Sequence, residues 1–161
     1  MPEHNRDAET PKERVDRELT ELLGELRIAL PGVQMLFAFL LTVPFHETFA
    51  QLSNLQRGVF FLTFAATTIA AIFLMAPSSN HRIGFRAHDK ENLLFRANGY
   101  AIVGIAFLAI AICGVVFFIS GMLLGESWAP VASIATLSLI IATWYAIPIW
   151  RRVLAKRAAG E

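Results

Sequence analysis

Four long apolar stretches dominate the pattern of hydrophobic and polar positions along the chain. They are Ile28–Phe45, Gly58–Ala76, Gly99–Leu124 and Val131–Trp150, and none contains Asp, Glu, Lys, Arg or His. A helix needs about 20 apolar residues to cross a hydrocarbon core of roughly 30 Å. The pattern therefore predicts an all-α polytopic membrane protein. Its four spans are expected at about 28–45, 58–76, 99–124 and 128–150.

The residues before the first stretch have a helical period. Residues 11–27 predict an amphipathic helix, because charged residues alternate with an apolar stripe at helical spacing. Thr10, Pro11 and Glu13 are typical of a helix start with a capping box. We predict that residues 1–10 are disordered and that the helix is cytoplasmic. It would lie on the membrane surface, pack beneath the spans or dock a partner.

Proline and glycine mark the expected ends of the helices. Pro31 disfavours the helical conformation of the residue before it, so we predict a break at Leu30 between the amphipathic helix and span one. Pro44 and Pro77 are predicted to end spans one and two. Gly125–Ser127 is a link short enough to allow only an antiparallel helical hairpin between spans three and four.

The composition agrees with a membrane protein. The chain has 161 residues, of which 55% are hydrophobic and 17% charged, and its mean hydropathy is +0.53. A soluble domain of this length has too little interior to hide that much apolar surface. The single cysteine, Cys113, cannot form an intramolecular disulfide. Nucleic acid is not an expected partner, because the sequence has no basic patch interleaved with aromatic residues.

Basic residues are concentrated on one predicted side of the membrane. Five precede the first span, four lie in loop 77–98 and four in the tail 151–161, whereas the other two loops contain only Arg57. Short loops rich in Lys and Arg stay in the cytoplasm. We therefore predict that both termini and loop 77–98 are cytoplasmic. The charge pattern of the first 27 residues is unlike a signal peptide, so the first span is expected to remain as an anchor.

Small and weakly polar residues form a stripe along each predicted span. Helices in lipid associate at such residues through close packing and hydrogen bonds. We expect the stripes to face inward in a compact antiparallel four-helix bundle, and a homo-oligomer interface is the alternative for span three. The stripes are Gln34, Ala38 and Thr42 in span one; Thr63, Ala66, Thr67 and Ala70 in span two; Gly104, Ala111, Gly114, Gly121 and Gly125 in span three; and Ser133, Thr136 and Thr143 in span four.

Ionisable residues are confined to the ends of the spans. A transporter coupled to protons or sodium normally needs an ionisable group near the bilayer centre. An enzyme needs a nucleophile with a base, or a set of metal ligands. The spans contain neither, so we expect no catalytic residue, cofactor or metal. The polar residues that could form a functional cluster are Glu25, Arg27, Gln34, His46, Glu47, His81 and Arg82.

An ion pair is expected on the cytoplasmic side. Glu21 or Glu25, near the end of the amphipathic helix, would pair with Arg82 or Arg86 in the basic loop. Such a pair would hold the N-terminal helix against loop 77–98.

Two motifs resemble those of a known family. Residues 21–34, running on through 37–45, resemble the signature of small bacterial four-span membrane proteins of unknown function. Residues 76–85 resemble the second motif of that family, after span two. Some members carry the label sodium:proton antiporter. The resemblance implies a bacterial cytoplasmic (inner) membrane protein and supplies no catalytic or binding residue.

Two functions follow as expectations. The first is a non-enzymatic integral membrane protein, a structural or accessory component of a membrane complex or homo-oligomer. Its partners would be the lipid bilayer and other membrane proteins. The alternative is a small ion transporter or channel, such as a protein like a sodium:proton antiporter, to which Gln34, Glu47 or Glu126 would contribute.

Overall fold

All regular secondary structure in the described residues is helical. The computed structural model describes residues 10–83 and 90–158, and the predicted disorder of residues 1–9 lies outside that part. The α-helices are α1 Pro11–Thr42, α2 Asn54–Ile83, α3 Lys90–Leu124, α4 Trp128–Ile141 and α5 Ile147–Ala158. A π-helical segment, Ala142–Ala146, joins α4 to α5, and 3-10 turns at Val43–Phe45 and Glu47–Gln51 follow α1.

Four helical segments are long and apolar enough to cross a membrane. They are Glu13–Phe45, Asn54–Ser79, Leu94–Leu124 and Trp128–Arg151. The prediction of an all-α chain with four potential spans is confirmed at this level.

The predicted break at Leu30 is wrong, because α1 is continuous from Pro11 to Thr42. Its start was predicted correctly: the Thr10 side chain caps the Glu13 amide and the Glu13 carboxylate accepts from the Thr10 amide at 2.9 Å. Pro31 lacks an N–H, so only the Arg27 carbonyl loses a helical partner. Both Pro31 and Arg27 are exposed. The lost bond therefore lies at the polar end of the apolar stretch, where its cost is small.

A buried heptad stripe accounts for the continuity of α1. Leu19, Leu26, Val33 and Leu40 are each at most 6% exposed and follow one another at intervals of seven residues. A repeat of seven keeps one face of a helix against its neighbours. The stripe passes Pro31 without a change of register, so packing on both sides of the proline holds the helix together.

Proline has two different effects further along the chain. Pro44 follows the end of α1 at Thr42, as predicted. Pro77 does not end α2, which continues to Ile83. The Pro77 side chain is fully buried. The apolar area that it buries offsets the hydrogen bond that its missing N–H cannot make.

The last predicted span is not a uniform α-helix. The Ile147 amide donates to the Ala142 carbonyl, five residues back, which defines the π turn. Pro148 lies just beyond it and would clash with the Trp144 carbonyl in a regular α-helix. The wider turn removes that clash. The predicted hairpin is confirmed, because Gly125–Ser127 separates α3 from α4.

The described residues divide into two compact units. The first contains the described residues of Met1–Phe45 and Thr67–Leu108, and the second those of His46–Ala66 and Ala109–Glu161. Helices α2 and α3 contribute to both units, whereas α1 lies in the first and α4 in the second. The core of the first unit comprises Leu26, Val33, Leu74 and Ala101, with Leu22, Leu30, Ala71, Ile105 and Leu108 packed against it.

Candidate functional site

In the first unit, α3 carries a glycine where α2 approaches it closely. A Cβ atom on Gly104 would lie 2.7 Å from Leu74 Cγ and 3.2 Å from the Leu74 amide nitrogen. Leu74 is fully buried, so its side chain can move only by displacing its neighbours. Any side chain at position 104 would therefore push the two helices apart.

The second unit repeats this close approach at Gly114 but not at Gly121. A Cβ on Gly114 would overlap Thr63 Oγ1 on α2. A Cβ on Gly121 would lie 3.4 Å from the Ala129 Cβ on α4, an ordinary contact. Gly114 thus marks the closer approach, and Gly121 tolerates a methyl group.

Gly125 has a different role from the other three glycines of the predicted stripe. It lies beyond the last residue of α3, and nothing is within 4 Å of its virtual Cβ. Its φ is +96°, a conformation that favours glycine, and its carbonyl accepts from the Trp128 amide at 3.1 Å. Gly125 therefore makes the hairpin turn rather than a helix contact.

Hydroxyl groups on the inner faces bond to backbone carbonyls. Thr63 and Thr67 are buried, as expected for the span-two stripe, and Thr63 Oγ1 donates to the Val59 carbonyl at 2.7 Å. Ser133 Oγ on α4 donates to the Cys113 carbonyl on α3 at 3.2 Å. No buried side-chain nitrogen or oxygen within the described residues lacks a partner. The Ser133 bond ties α4 to α3, whereas the Thr63 bond stays within α2, and neither needs a ligand.

The inward orientation predicted for the span-one stripe is wrong. Gln34, Ala38 and Thr42 are all exposed. The inner face of α1 consists instead of the large aliphatic residues of the heptad stripe. Thr143 in span four is also exposed, and its hydroxyl bonds to the Leu139 carbonyl of its own helix at 2.8 Å.

The described members of the predicted polar cluster fall in different units. Glu25, Arg27 and Gln34 are exposed on α1 in the first unit. His46 and Glu47 are exposed in the second unit, where the His46 carbonyl accepts from the Phe49 amide at 2.9 Å. The side chains of His81 and Arg82 lie outside the described part, so the structure places no group beside them.

The expected cytoplasmic ion pair stays a prediction. Glu21 pairs with Arg17 of its own helix, at 3.2 Å, and Arg14 likewise pairs with Glu18 at 2.9 Å. Exposed i,i+4 pairs of this kind contribute only a few tenths of a kcal/mol each. The expected partners, the Arg82 side chain and Arg86, lie outside the described residues.

Sequence reasoning missed the start of α2 and the aromatic contacts beside it. The Ser53 amide donates to Gln56 Oε1 at 3.0 Å, and the Gln56 amide donates to Ser53 Oγ at 3.3 Å. This is a reciprocal capping box, and its Ser-x-x-Gln spacing was readable in the sequence. Phe49 packs edge-on against Phe60 at 5.2 Å between ring centres, and Phe60 against Phe118 at 5.8 Å. These ring contacts pack the turn before α2, through Phe49, against α2 and, through Phe60, pack α2 against α3.

Metal ligands are not gathered in the residues that the structure describes. No group of three or more His, Cys, Asp or Glu side chains there could hold an ion. The described geometry is that of close helix–helix contacts, with one exposed side-chain amide on α1, that of Gln34.

The chain belongs to DUF6328, a family of unknown function whose model matches residues 8–148. No curated protein and no solved structure matches it. The family assignment agrees with the resemblance to an uncharacterised family and adds no residue roles.

A matched pair of glycine substitutions on α3 tests the close contact between Gly104 and Leu74 in the first unit. We expect Gly104→Ala to lower the free energy of unfolding in detergent by about 1–3 kcal/mol, because Leu74 can move only by displacing its neighbours. Gly99→Ala meets nothing within 4 Å and should instead raise it by about 0.5–1 kcal/mol through helix propensity. Thermal or SDS unfolding followed by circular dichroism measures both. Equal effects from the two variants would contradict the close contact.

A double substitution tests the close contact between Gly114 and Thr63 in the second unit. Gly114→Ala should destabilise the protein by about 1–3 kcal/mol, because the methyl group overlaps Thr63 Oγ1. In a Thr63→Ala background the same change should cost about 1 kcal/mol less, since that oxygen is gone. Thr143→Ala, which removes an exposed, self-bonded hydroxyl, is the control background and should give no rescue. Additivity in both backgrounds would refute the predicted coupling.

Proposed function

We propose that this member of DUF6328 is a non-enzymatic integral membrane protein that serves as a structural or accessory component of a membrane complex or homo-oligomer. Its four spans form an antiparallel helical bundle in the bacterial cytoplasmic membrane, with both termini in the cytoplasm. The partners are the lipid bilayer and other membrane proteins, including further copies of the chain.

One observation carries the proposal: the polar groups on inner helix faces are satisfied by backbone carbonyls, of the same helix or of a neighbouring one. The apolar stretches contain no Asp, Glu, Lys, Arg or His. The Thr63 and Ser133 hydroxyls bond to backbone carbonyls, and glycines give α3 its close contacts. In lipid, such contacts are the main source of helix association. A structural role requires nothing more from the spans.

The orientation rests on the distribution of positive charge. Thirteen of the fourteen Lys and Arg residues fall on the side assigned to the cytoplasm. Translocating such segments is disfavoured, and acidic residues weigh little in this bias. The many acidic side chains of α1 therefore leave the proposed orientation unchanged.

Cysteine labelling tests this topology. In a Cys113→Ala background, we expect a membrane-impermeant maleimide to label Glu126→Cys in intact spheroplasts. Ser79→Cys, which is also exposed, should be labelled only after lysis. The reason is that the hairpin turn lies outside the cell and the end of α2 inside. Labelling of position 79 but not of position 126 in intact spheroplasts would show the opposite orientation. Equal labelling of both positions before lysis would contradict the proposed topology.

The structural role predicts an assembly without coupled ion flux. Extracted in mild detergent, the native protein should migrate at a mass well above the 17.8 kDa of one chain after correction for detergent. Proteoliposomes under a pH or sodium gradient should show the flux of empty liposomes, because the spans contain no Asp, Glu, Lys, Arg or His. Native mass spectrometry and a pH-sensitive dye provide the two measurements.

Either of two results would contradict the structural role. One is a protein that is monomeric in native membranes. The other is gradient-driven flux that Gln34→Ala or Glu47→Gln abolishes, which would establish the transporter alternative. Gly99→Ala, at an exposed position with open space, is the matched control for both measurements.

A further inference from the structure

The end of the fourth potential span carries positive charge that no neighbouring acidic residue in the sequence balances. The segment 128–160 contains no Asp or Glu, whereas four Lys and Arg residues fall within α5, Ile147–Ala158. The side chains of Arg151 and Arg157 are exposed, and neither forms an ion pair within the described residues. Helix α5 therefore presents uncompensated cations to its surroundings.

The basic residues at the start of α1 are arranged differently. Residues 11–27 contain five acidic and four basic residues. Arg14 pairs with Glu18 at 2.9 Å, and Arg17 pairs with Glu21 at 3.2 Å. The bias that orients a membrane protein counts Lys and Arg and gives little weight to acidic residues beside them. The orientation of the chain therefore does not explain why the charge of α5 is left unpaired.

Two tryptophans give the depth of α5 in the proposed membrane. Trp128 and Trp150 are 57% and 67% exposed and lie 22 residues apart, which is about 33 Å along a helix. The hydrocarbon core is roughly 30 Å thick, and tryptophan is enriched at both of its interfaces. With one tryptophan at each interface, Arg151 follows at the level of the lipid headgroups. Arg157 lies about 10 Å beyond Trp150, within the reach of a long side chain that bends back.

Apolar and basic side chains share one face of α5. Trp150, Val153, Leu154 and Arg157 follow at positions i, i+3, i+4 and i+7, and all four are exposed. At the edge of a bilayer, acyl chains cover the apolar side chains while the guanidinium groups remain among the headgroups. A guanidinium group binds phosphate through two parallel hydrogen bonds. The mixed face of α5 therefore fits a lipid surface of negative charge.

We propose that α5 binds the headgroups of anionic phospholipids, which are thereby enriched around the end of the fourth span. Charge complementarity favours this partner, because each Lys or Arg close to an anionic surface strengthens binding about fivefold. Position favours it too, since α5 directly follows a segment long and apolar enough to cross the membrane, Trp128–Arg151. The inference rests on the proposed membrane location and names a class of lipid among the proposed partners.

Quenching of tryptophan fluorescence by brominated lipids tests this enrichment. The full chain with Trp128→Phe and Trp144→Phe, which keeps only Trp150, is reconstituted in vesicles that mix phosphatidylcholine with phosphatidylglycerol. One lipid or the other is brominated on its acyl chains. We expect phosphatidylglycerol to be favoured about three- to tenfold around Trp150 at about 0.1 M salt. The preference should largely disappear at 1 M salt, where the Debye length falls to about 3 Å.

Matched variants locate the effect on α5. Arg151→Gln combined with Arg157→Gln should reduce the preference to about twofold or less, whereas lysine at both positions should keep most of it. Arg14→Gln combined with Arg17→Gln removes the same charge from α1 and should leave the preference unchanged. A chain that keeps only Trp128, at the other end of the span, should show no preference.

The outcomes separate failure of the lipid preference from failure of the proposed function. Equal quenching of Trp150 by the two brominated lipids, or an equal preference at Trp128, overturns lipid binding by α5. A preference abolished by inorganic phosphate, but not by potassium chloride of the same ionic strength, overturns the headgroup as the ligand. Quenching of neither tryptophan by either lipid overturns the membrane location itself. Gradient-driven ion flux together with an intact preference contradicts only the structural role and supports the lipid-binding surface.

Discussion

The close approach of α2 to α3 is the constraint on which the described packing depends. It is met within the first unit at Gly104 against Leu74, and within the second at Gly114 against Thr63. At both places the only side chain that fits on α3 is a hydrogen atom. Helices in lipid gain no hydrophobic driving force from meeting one another, so contact area and short distances supply the attraction. The glycines therefore determine where the helices meet.

Buried hydroxyl side chains also contribute to helix packing. Inside a helical membrane protein, hydroxyl side chains bond to the carbonyl one turn back or to a neighbouring helix, and so cost little. Thr63 takes the first course and Ser133 the second. Neither arrangement leaves a free group aimed into a cavity. The interior chemistry of the described residues is thus directed at cohesion, which supports the proposed structural role over transport.

The sequence predicted the number of helices long and apolar enough to cross a membrane, and the hairpin, because those depend on composition and on short-range turn chemistry. It predicted the start of α1 for the same reason, since the capping box is local to Thr10 and Glu13. Helix ends set by Pro31 and Pro77 were predicted wrongly. Helix propensity alone predicts that a helix ends at proline. At Pro31, the buried residues on both sides outweigh the one lost hydrogen bond, and at Pro77 the burial of the proline ring itself does so. The sequence has no pattern that decides which residues of the predicted polar cluster lie close together in space.

The orientation of Gln34 follows from the continuity of α1. A break at Leu30 would have let the segment after it rotate freely and turn the small, polar stripe inward. In one continuous helix each residue turns by about 100° from the last, so Leu19 and Leu26 determine which later residues face the core. That face returns at Val33 and Leu40, and Gln34 lies about 80° away from Leu26 around the axis. The heptad of large aliphatic residues thus keeps the amide on the outer surface of α1. An interior site at Gln34 would require the register of the whole helix to change.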